Sequence, residues 1–204
     1  MAITDIGTIV PIITAFITGI LGPVILKLIT KKMEKRVDPL DEAITFADKV
    51  HDKLEVIKED YVADRVYILQ FHNGGHYYPT GKSIQKFSMH YEVVNDAKYS
   101  TQQSFQNIPV NLFTKSLKHL SDESVISIKD YSDETVATYG LKYIAQEAGV
   151  KSSYLFAVKN IDDRFIGVMG VDFASKTSLT DEQVIELEVA ATMIGGELSK
   201  YLKK

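Results

Sequence analysis

Between Ile6 and Leu26 the chain runs for 21 residues without a formal charge. As an α-helix rising 1.5 Å per residue, that run is about 31 Å long, close to the thickness of a bilayer's hydrocarbon core. A helix in a water-soluble core seldom stays apolar on every side for so long. A cleaved export signal carries basic residues ahead of its apolar run and a small-residue cleavage site behind it. Here the basic residues follow, and Pro23-Val-Ile-Leu-Lys27 offers no such site. The run therefore predicts a retained transmembrane helix. Lys27, Lys31, Lys32, Lys35 and Arg36 crowd its C-terminal flank, against Asp5 and the α-amino group on the other side. Positive charge stays on the cytoplasmic side, so the expectation is a single pass through the inner (plasma) membrane, N-terminus outside and C-terminal domain cytoplasmic.

Thr14, Ala15, Thr18, Gly19 and Gly22 fall on one side of that helix, with Gly7, Thr8 and Pro11. Small residues let helix backbones approach closely, and threonine hydroxyls can bond across the pair. This stripe is expected to be an oligomerisation face; a weakly polar pore wall is the alternative. Pro11 and Pro23 are expected to kink the helix or mark its ends.

Residues 1–36 thus form a membrane helix and a basic juxtamembrane segment, and 37–204 one domain. The net charge of −4 conceals an asymmetry. Residues 1–36 hold five basic and two acidic side chains, and the remainder holds 18 basic and 25 acidic. A domain at −7 is poorly suited to a phosphate backbone, so no nucleic-acid partner is expected. The absence of cysteine removes disulfides, thiolate catalysis and thiol redox sensing.

Asp38-Pro39 reads as a helix start. Behind it Leu40, Ala43, Ala47, Val50, Leu54, Ile57 and Tyr61 recur at alternating spacings of three and four, an amphipathic helix over 39–61. The seam suits either a parallel dimer contact or the helix's own domain. Thr180-Asp-Glu-Gln183 is a capping box opening a helix over 180–202. Its seam runs through Val184, Leu187, Ala191, Ile194, Leu198 and Tyr201. Leu54, Ile57, Leu187, Ala191 and Ile194 are the candidate dimer-helix residues. Gly195-Gly196 weakens this helix and permits close approach.

Arg65–Phe71 reads as a buried strand stopped by Asn73-Gly74-Gly75, and Ser88–Val94 as a second strand. A helical pattern over Asn107–Leu120, a short strand over Ser124–Lys129 and a helix over Glu134–Ala148 ending at Gly149 follow. Ser152–Lys159 and Phe165–Phe173 form a hairpin around Asn160–Arg164. The order β, β, α, β, α, β, β, α predicts an α/β (α+β) fold: one mixed antiparallel sheet flanked by helices.

Over the last third, Gly149-Val-Lys-Ser-Ser-Tyr-Leu-Phe-Ala-Val158, Asp163-Arg164-Phe-Ile-Gly167-Val-Met-Gly-Val171 and Leu179-Thr-Asp-Glu182 are similar to the closing half of GAF domains. The resemblance covers about residues 42–203 and is strongest over 149–200. It implies a GAF-like sensor fold with a pocket over one sheet face. Bilin-carrying members attach their chromophore through cysteine, which this chain lacks. Cyclic-nucleotide members carry an Asn-Lys … Phe-x3-Asp-Glu pattern; here Ile161 follows Asn160, and Phe173 stands too far from Asp181-Glu182. No cofactor is predicted, and an unidentified small molecule is the expected ligand.

Phe71-His-Asn-Gly-Gly-His-Tyr-Tyr78 sets two imidazoles, an amide and two phenols around a glycine turn. With Met89 and Tyr91 from the next strand it makes a candidate pocket rim. The candidate ligand-binding residues are His72, Asn73, His76, Tyr77, Tyr78, Met89, Tyr91 and Asp172. Asp172 is odd on an apolar strand: facing inward it needs a partner, with His72 or Tyr91 as candidates. His72 and His76 could pair with His90 on a metal, but no compact ligand spacing supports one. No nucleophile motif or phosphate loop is present, so no enzyme activity is expected.

These features together point to a membrane-anchored GAF-like sensory module, dimeric, binding a small molecule or protein partner and coupling its cytoplasmic domain to the membrane helix. The alternatives are a phage holin-like or lysis-regulating membrane protein and a structural membrane adaptor.

Overall fold

A computed structural model describes residues 14–33, 38–77 and 79–202. The chain divides into two units, 1–43 and 44–204. In the first, a π-helical turn over Ile17–Leu21 leads into helix α1, Gly22–Met33. Pro23 has no N–H to donate, and the Gly22 N–H reaches back to the Ile17 carbonyl; the wider turn absorbs the missing bond. Phe16, Ile17, Ile20, Val24, Ile25, Leu26 and Leu28 are each at least half exposed. Among the described residues no helix is long and apolar enough to cross a membrane. Residues 6–13 of the expected span lie outside the described ones.

Helix α2 spans Pro39–Asp60. The Asp38 carboxylate caps it, accepting from the Leu40 N–H at 2.9 Å. Its C-terminus closes in a Schellman arrangement: Val62 N–H donates to Glu59 O and Ala63 N–H to Lys58 O. Val62 occupies the left-handed position (φ 52°) that glycine usually takes.

Among the described residues six strands then form one antiparallel sheet in the order β3-β2-β1-β6-β5-β4. They are β1 Arg65–His76, β2 Ser83–Val94, β3 Ile108–Pro109, β4 Val125–Ile128, β5 Ser152–Lys159 and β6 Phe165–Phe173. Helices α3 (Thr114–Glu123), α4 (Lys142–Glu147) and α5 (Asp181–Leu202) complete the domain. The α5 capping box forms as expected, with Gln183 N–H to Thr180 Oγ1 at 3.2 Å and Thr180 N–H to Gln183 Oε1 at 3.0 Å.

Local chemistry displaces several expected boundaries. Strand β1 runs through Asn73-Gly74-Gly75 to His76, with a register irregularity there instead of a stop. The pattern from Asn107 is not one helix. Ile108-Pro109 is a short strand, Val110–Phe113 a 3₁₀ turn, and the α-helix begins only at Thr114; Pro109 holds its predecessor extended. The helix expected from Glu134 shrinks to Lys142–Glu147, because Tyr139 and Gly140 both take positive φ.

Strand alternation divides the core in two. One face carries Val66, Ile68, Tyr154, Phe156, Met169 and Val171 against α2 and α5. The other carries Tyr67, Met89, Ile126, Leu155 and Val168 beneath α3, α4 and the loops around them. Leu54, Leu187 and Ala191 have no exposed surface, and Ile57 and Ile194 very little. These five seam residues pack on the protein's own sheet, which leaves none of them on the surface. Gly195 is where α5 crosses β5, since a Cβ there would strike the Lys159 carbonyl. The close approach that the glycine pair permits is therefore made to a strand.

Candidate functional site

Register brings three polar residues into one row across the middle of the sheet. Arg65 opens β1 opposite Asp172 of β6, and Asp172 lies opposite Ser153 of β5. All three face the α3–α4 side and are at most 5% exposed. The Arg65 guanidinium donates to Asp172 Oδ2 from Nε at 2.9 Å and from Nη2 at 2.5 Å. The Ser153 hydroxyl donates to Oδ1 at 2.5 Å. Arg65 Nη1 donates to the Tyr99 carbonyl at 3.0 Å and to Thr101 Oγ1 at 2.7 Å. Glu92 stands 3.9 Å from Nη1 and accepts from the Ser100 hydroxyl and from the Thr101 and Gln102 N–H groups. It thereby fixes the segment over the arginine.

Two phenols adjoin the row. Tyr67 lies against Gly170, where a Cβ would strike its ring, and the Arg65 guanidinium sits 5.1 Å from that ring's centroid. Burial pushes the Tyr67 and Tyr131 hydroxyls well above the usual phenol range, and the Asp172 carboxylate adds to the shift. Both remain protonated. Burial alone would lower the Arg65 pKa, but Asp172, Tyr67 and Glu92 more than offset it.

The row forms the polar end of a cavity of about 60 Å³. Its other walls are mostly apolar: Leu69, Phe87, Met89, Leu155 and Val168 from the sheet, Leu117, Leu120 and Ala145 from the covering helices, and Phe105 and Phe113 from the loops, with the buried Ser116 of α3 as a polar exception.

Of the eight residues expected at a pocket rim, Met89 and Asp172 line this cavity. Asp172 faces inward as one alternative held, but its partners are Arg65 and Ser153, not His72 or Tyr91. His72 sits on the opposite face to its neighbour Phe71, with Nε2 2.9 Å from Ser88 Oγ and its ring 6.3 Å from that of His90. Tyr91 packs edge-on against Phe46 and His51 of α2. A register irregularity between Ile68 and Leu69 makes His90 the extra residue of β2, and Tyr91 consequently turns toward α2. Asn73 accepts from Gln85, while His76 and Tyr77 are exposed. Tyr78 lies outside the described residues. Among the described residues no group of three or more His, Asp or Glu side chains is placed to hold a metal ion. In the N-terminal unit the Thr18 hydroxyl donates to the Thr14 carbonyl of its own helix.

Sequence reasoning missed Arg65, Ser153 and Tyr67. The available signal was Asp172 itself: an aspartate amid an apolar strand needs a partner, and Arg65 heads the apolar run Val66–Leu69.

The chain superposes on a blue-light-absorbing PixJ GAF domain of Thermosynechococcus elongatus with a TM-score of 0.61 at 14% identity, over 80% of this chain and 90% of that one. The fold is that of GAF domains. A phycocyanobilin-bound GAF domain from a cyanobacterial phytochrome matches at TM-score 0.60 and 15% identity, over 88% and 94% of the two chains. The GAF region of a suspected membrane protein from Geobacter sulfurreducens matches at 0.58 and 10%, over 80% and 97%. No family model and no curated protein sequence matches the chain. At these identities the likeness speaks for the fold alone.

Proposed function

We propose that this protein is a membrane-tethered sensory module whose GAF-like domain binds a small molecule between the sheet and α3–α4. The observation that carries the reading is the cavity with a buried ionic pair at one end. At about 24 cal/mol per Å³, a 60 Å³ void costs about 1.5 kcal/mol. Burying charges costs more again unless geometry and added hydrogen bonds repay it. The cavity and the charged pair meet at one place, so a ligand there would fill the first and bond to the second.

The route to an output runs through Arg65. It lies five residues beyond the end of α2 and opens β1. The joint between them is bonded to the same strand end: Asp64 N–H donates to Asp172 O, and Ala174 N–H to Asp64 Oδ2. A ligand that draws Asp172 away from Arg65 would load this joint, where Val62 is already held in a left-handed conformation. The load would pass into α2, which leads back in sequence to the apolar segment.

A bilin, such as the phycocyanobilin-bound phytochrome GAF domain carries, does not suit this site. The chain has no cysteine, and the cavity is a fraction of a tetrapyrrole's size. The tether rests on the uncharged run 6–26 and the exposed apolar side chains of the helix that continues it. The basic flank supports a cytoplasmic side for the domain. Pairing of two copies belongs to the same reading. The stripe of Thr14, Ala15, Thr18, Gly19 and Gly22 serves the membrane segment, and exposed Val56, Ile185, Val189 and Met193 serve the domain. The reading assigns no catalytic step and no nucleic-acid partner.

The experiment is a ligand-stabilisation screen on the full-length chain in one detergent, with native mass measurement on the same sample. Compounds that raise the melting temperature in proportion to the logarithm of their concentration support the reading. A library without a single stabilising compound, on a monomer, overturns it. Extraction of the chain from membranes by alkaline carbonate would remove the tether.

A further inference from the structure

We infer that the cavity selects a small cationic ligand, a protonated amine on a short apolar body, whose ammonium group docks on Asp172. This deepens the sensory reading and depends on the cavity being a ligand site.

Arg65 has five N–H donors, and four are committed: two to Asp172, one to the Tyr99 carbonyl and one to Thr101. An incoming carboxylate would find one N–H left. It would also meet two carboxylates, Asp172 and Glu92, around a single guanidinium. The cluster therefore carries a net charge of −1 in a place where solvent screens little.

Asp172 is differently placed. Its two oxygens accept three hydrogen bonds, leaving lone-pair capacity for another donor. It lines the cavity, whereas Glu92 turns its oxygens into the Ser100–Gln102 segment. An ammonium group there would neutralise the cluster and complete Asp172's coordination with a charge-assisted bond. The tail would lie among Met89, Leu155 and Val168. A cavity of about 60 Å³ holds on the order of four waters, so a body of about four to six non-hydrogen atoms fits without rearrangement.

The test compares three molecules of nearly one shape: n-butylammonium, n-butanol and butyrate. Each is titrated at neutral pH into the full-length chain labelled with [13C]methyl-methionine, in one detergent. Met89 reports the cavity, and Met169, on the opposite sheet face, is the internal control. The expected result is that butylammonium shifts the Met89 signal with saturation, leaves Met169 unmoved and binds about tenfold more tightly than butanol, with butyrate weakest. Asp172→Asn should bring the amine down to the alcohol's affinity; should that variant not fold, the ranking on the unaltered chain decides. Equal binding of amine and alcohol, or tighter binding of butyrate, overturns the charge selection while leaving a small-molecule cavity in place. No shift at Met89 with any of the three, or with xenon, overturns the cavity reading and this inference together.

Discussion

Removing the Asp172 carboxylate tests the centre of the domain. Asp172→Ala deletes both bonds from Arg65 and the one from Ser153, and leaves a guanidinium that is 5% exposed. Breaking a buried ion pair from one side costs about 3–5 kcal/mol, because the surviving charge stays buried. Arg65 keeps Tyr99, Thr101 and the more distant Glu92, so the cost should fall near the lower bound, about 3 kcal/mol. Replacing both partners removes the stranded charge. Arg65→Met with Asp172→Leu should stand within about 1 kcal/mol of the original protein, since Glu92 retains its donors from Ser100, Thr101 and Gln102. The two single changes should then be coupled by about 2 kcal/mol or more. Guanidinium unfolding followed by circular dichroism, with linear extrapolation, measures all five proteins: the unaltered chain, Asp172→Ala, Arg65→Met, Asp172→Leu and the double variant. A cost below about 1 kcal/mol for Asp172→Ala, or strict additivity, would show that the pair is not the desolvated unit described.

Gly195→Ala should destabilise by about 1–3 kcal/mol, because its Cβ meets the Lys159 carbonyl, while Gly196→Ala faces open space and should stabilise by up to about 1 kcal/mol; chemical denaturation of the two side by side tests the asymmetry. Val62→Gly should stabilise by about 1 kcal/mol, since it relieves a β-branched residue at a left-handed helix end whose side chain is 79% exposed; an unchanged or lowered denaturation midpoint would mean that the joint is unstrained. Burial, aided by neighbouring His72, holds the His90 imidazole below its ordinary 6.5. Its neutral form therefore contributes stability that is present above pH 6.5 and lost as pH falls through the lower folded value. His90→Gln should flatten that acid limb, and a proton NMR titration of His90 with a midpoint at or above 6.5 would contradict the assignment.

Much of this architecture is legible locally. The Asp38 cap, the Thr180–Gln183 box and the turn at Asn160–Arg164 depend on side chains within four residues of each other, and they appear where the sequence puts them. The three-four spacing through Leu54, Ile57, Leu187, Ala191 and Ile194 establishes that these residues share a buried seam. It is silent on what buries them, because a sheet and a second helix demand the same apolar stripe. The histidine-rich end of β1 drew attention by composition, yet one bulged residue in β2 turns Tyr91 toward α2 and leaves Met89 on the cavity wall. Face assignment has a period of two, so a single inserted residue reverses it without altering the pattern of residue types.

The amino-acid sequence alone determined the uncharged N-terminal run, the charge asymmetry, the two long terminal helices of the domain, the β5–β6 hairpin and the lack of any thiol. Tertiary structure alone decided that Arg65 and Asp172, 107 residues apart, share one row of the sheet with Ser153 at the end of a cavity. Helix caps and turns are set by short-range sterics and hydrogen bonds. Which charge neutralises which depends on strand order and register, fixed only when both faces of the sheet are packed.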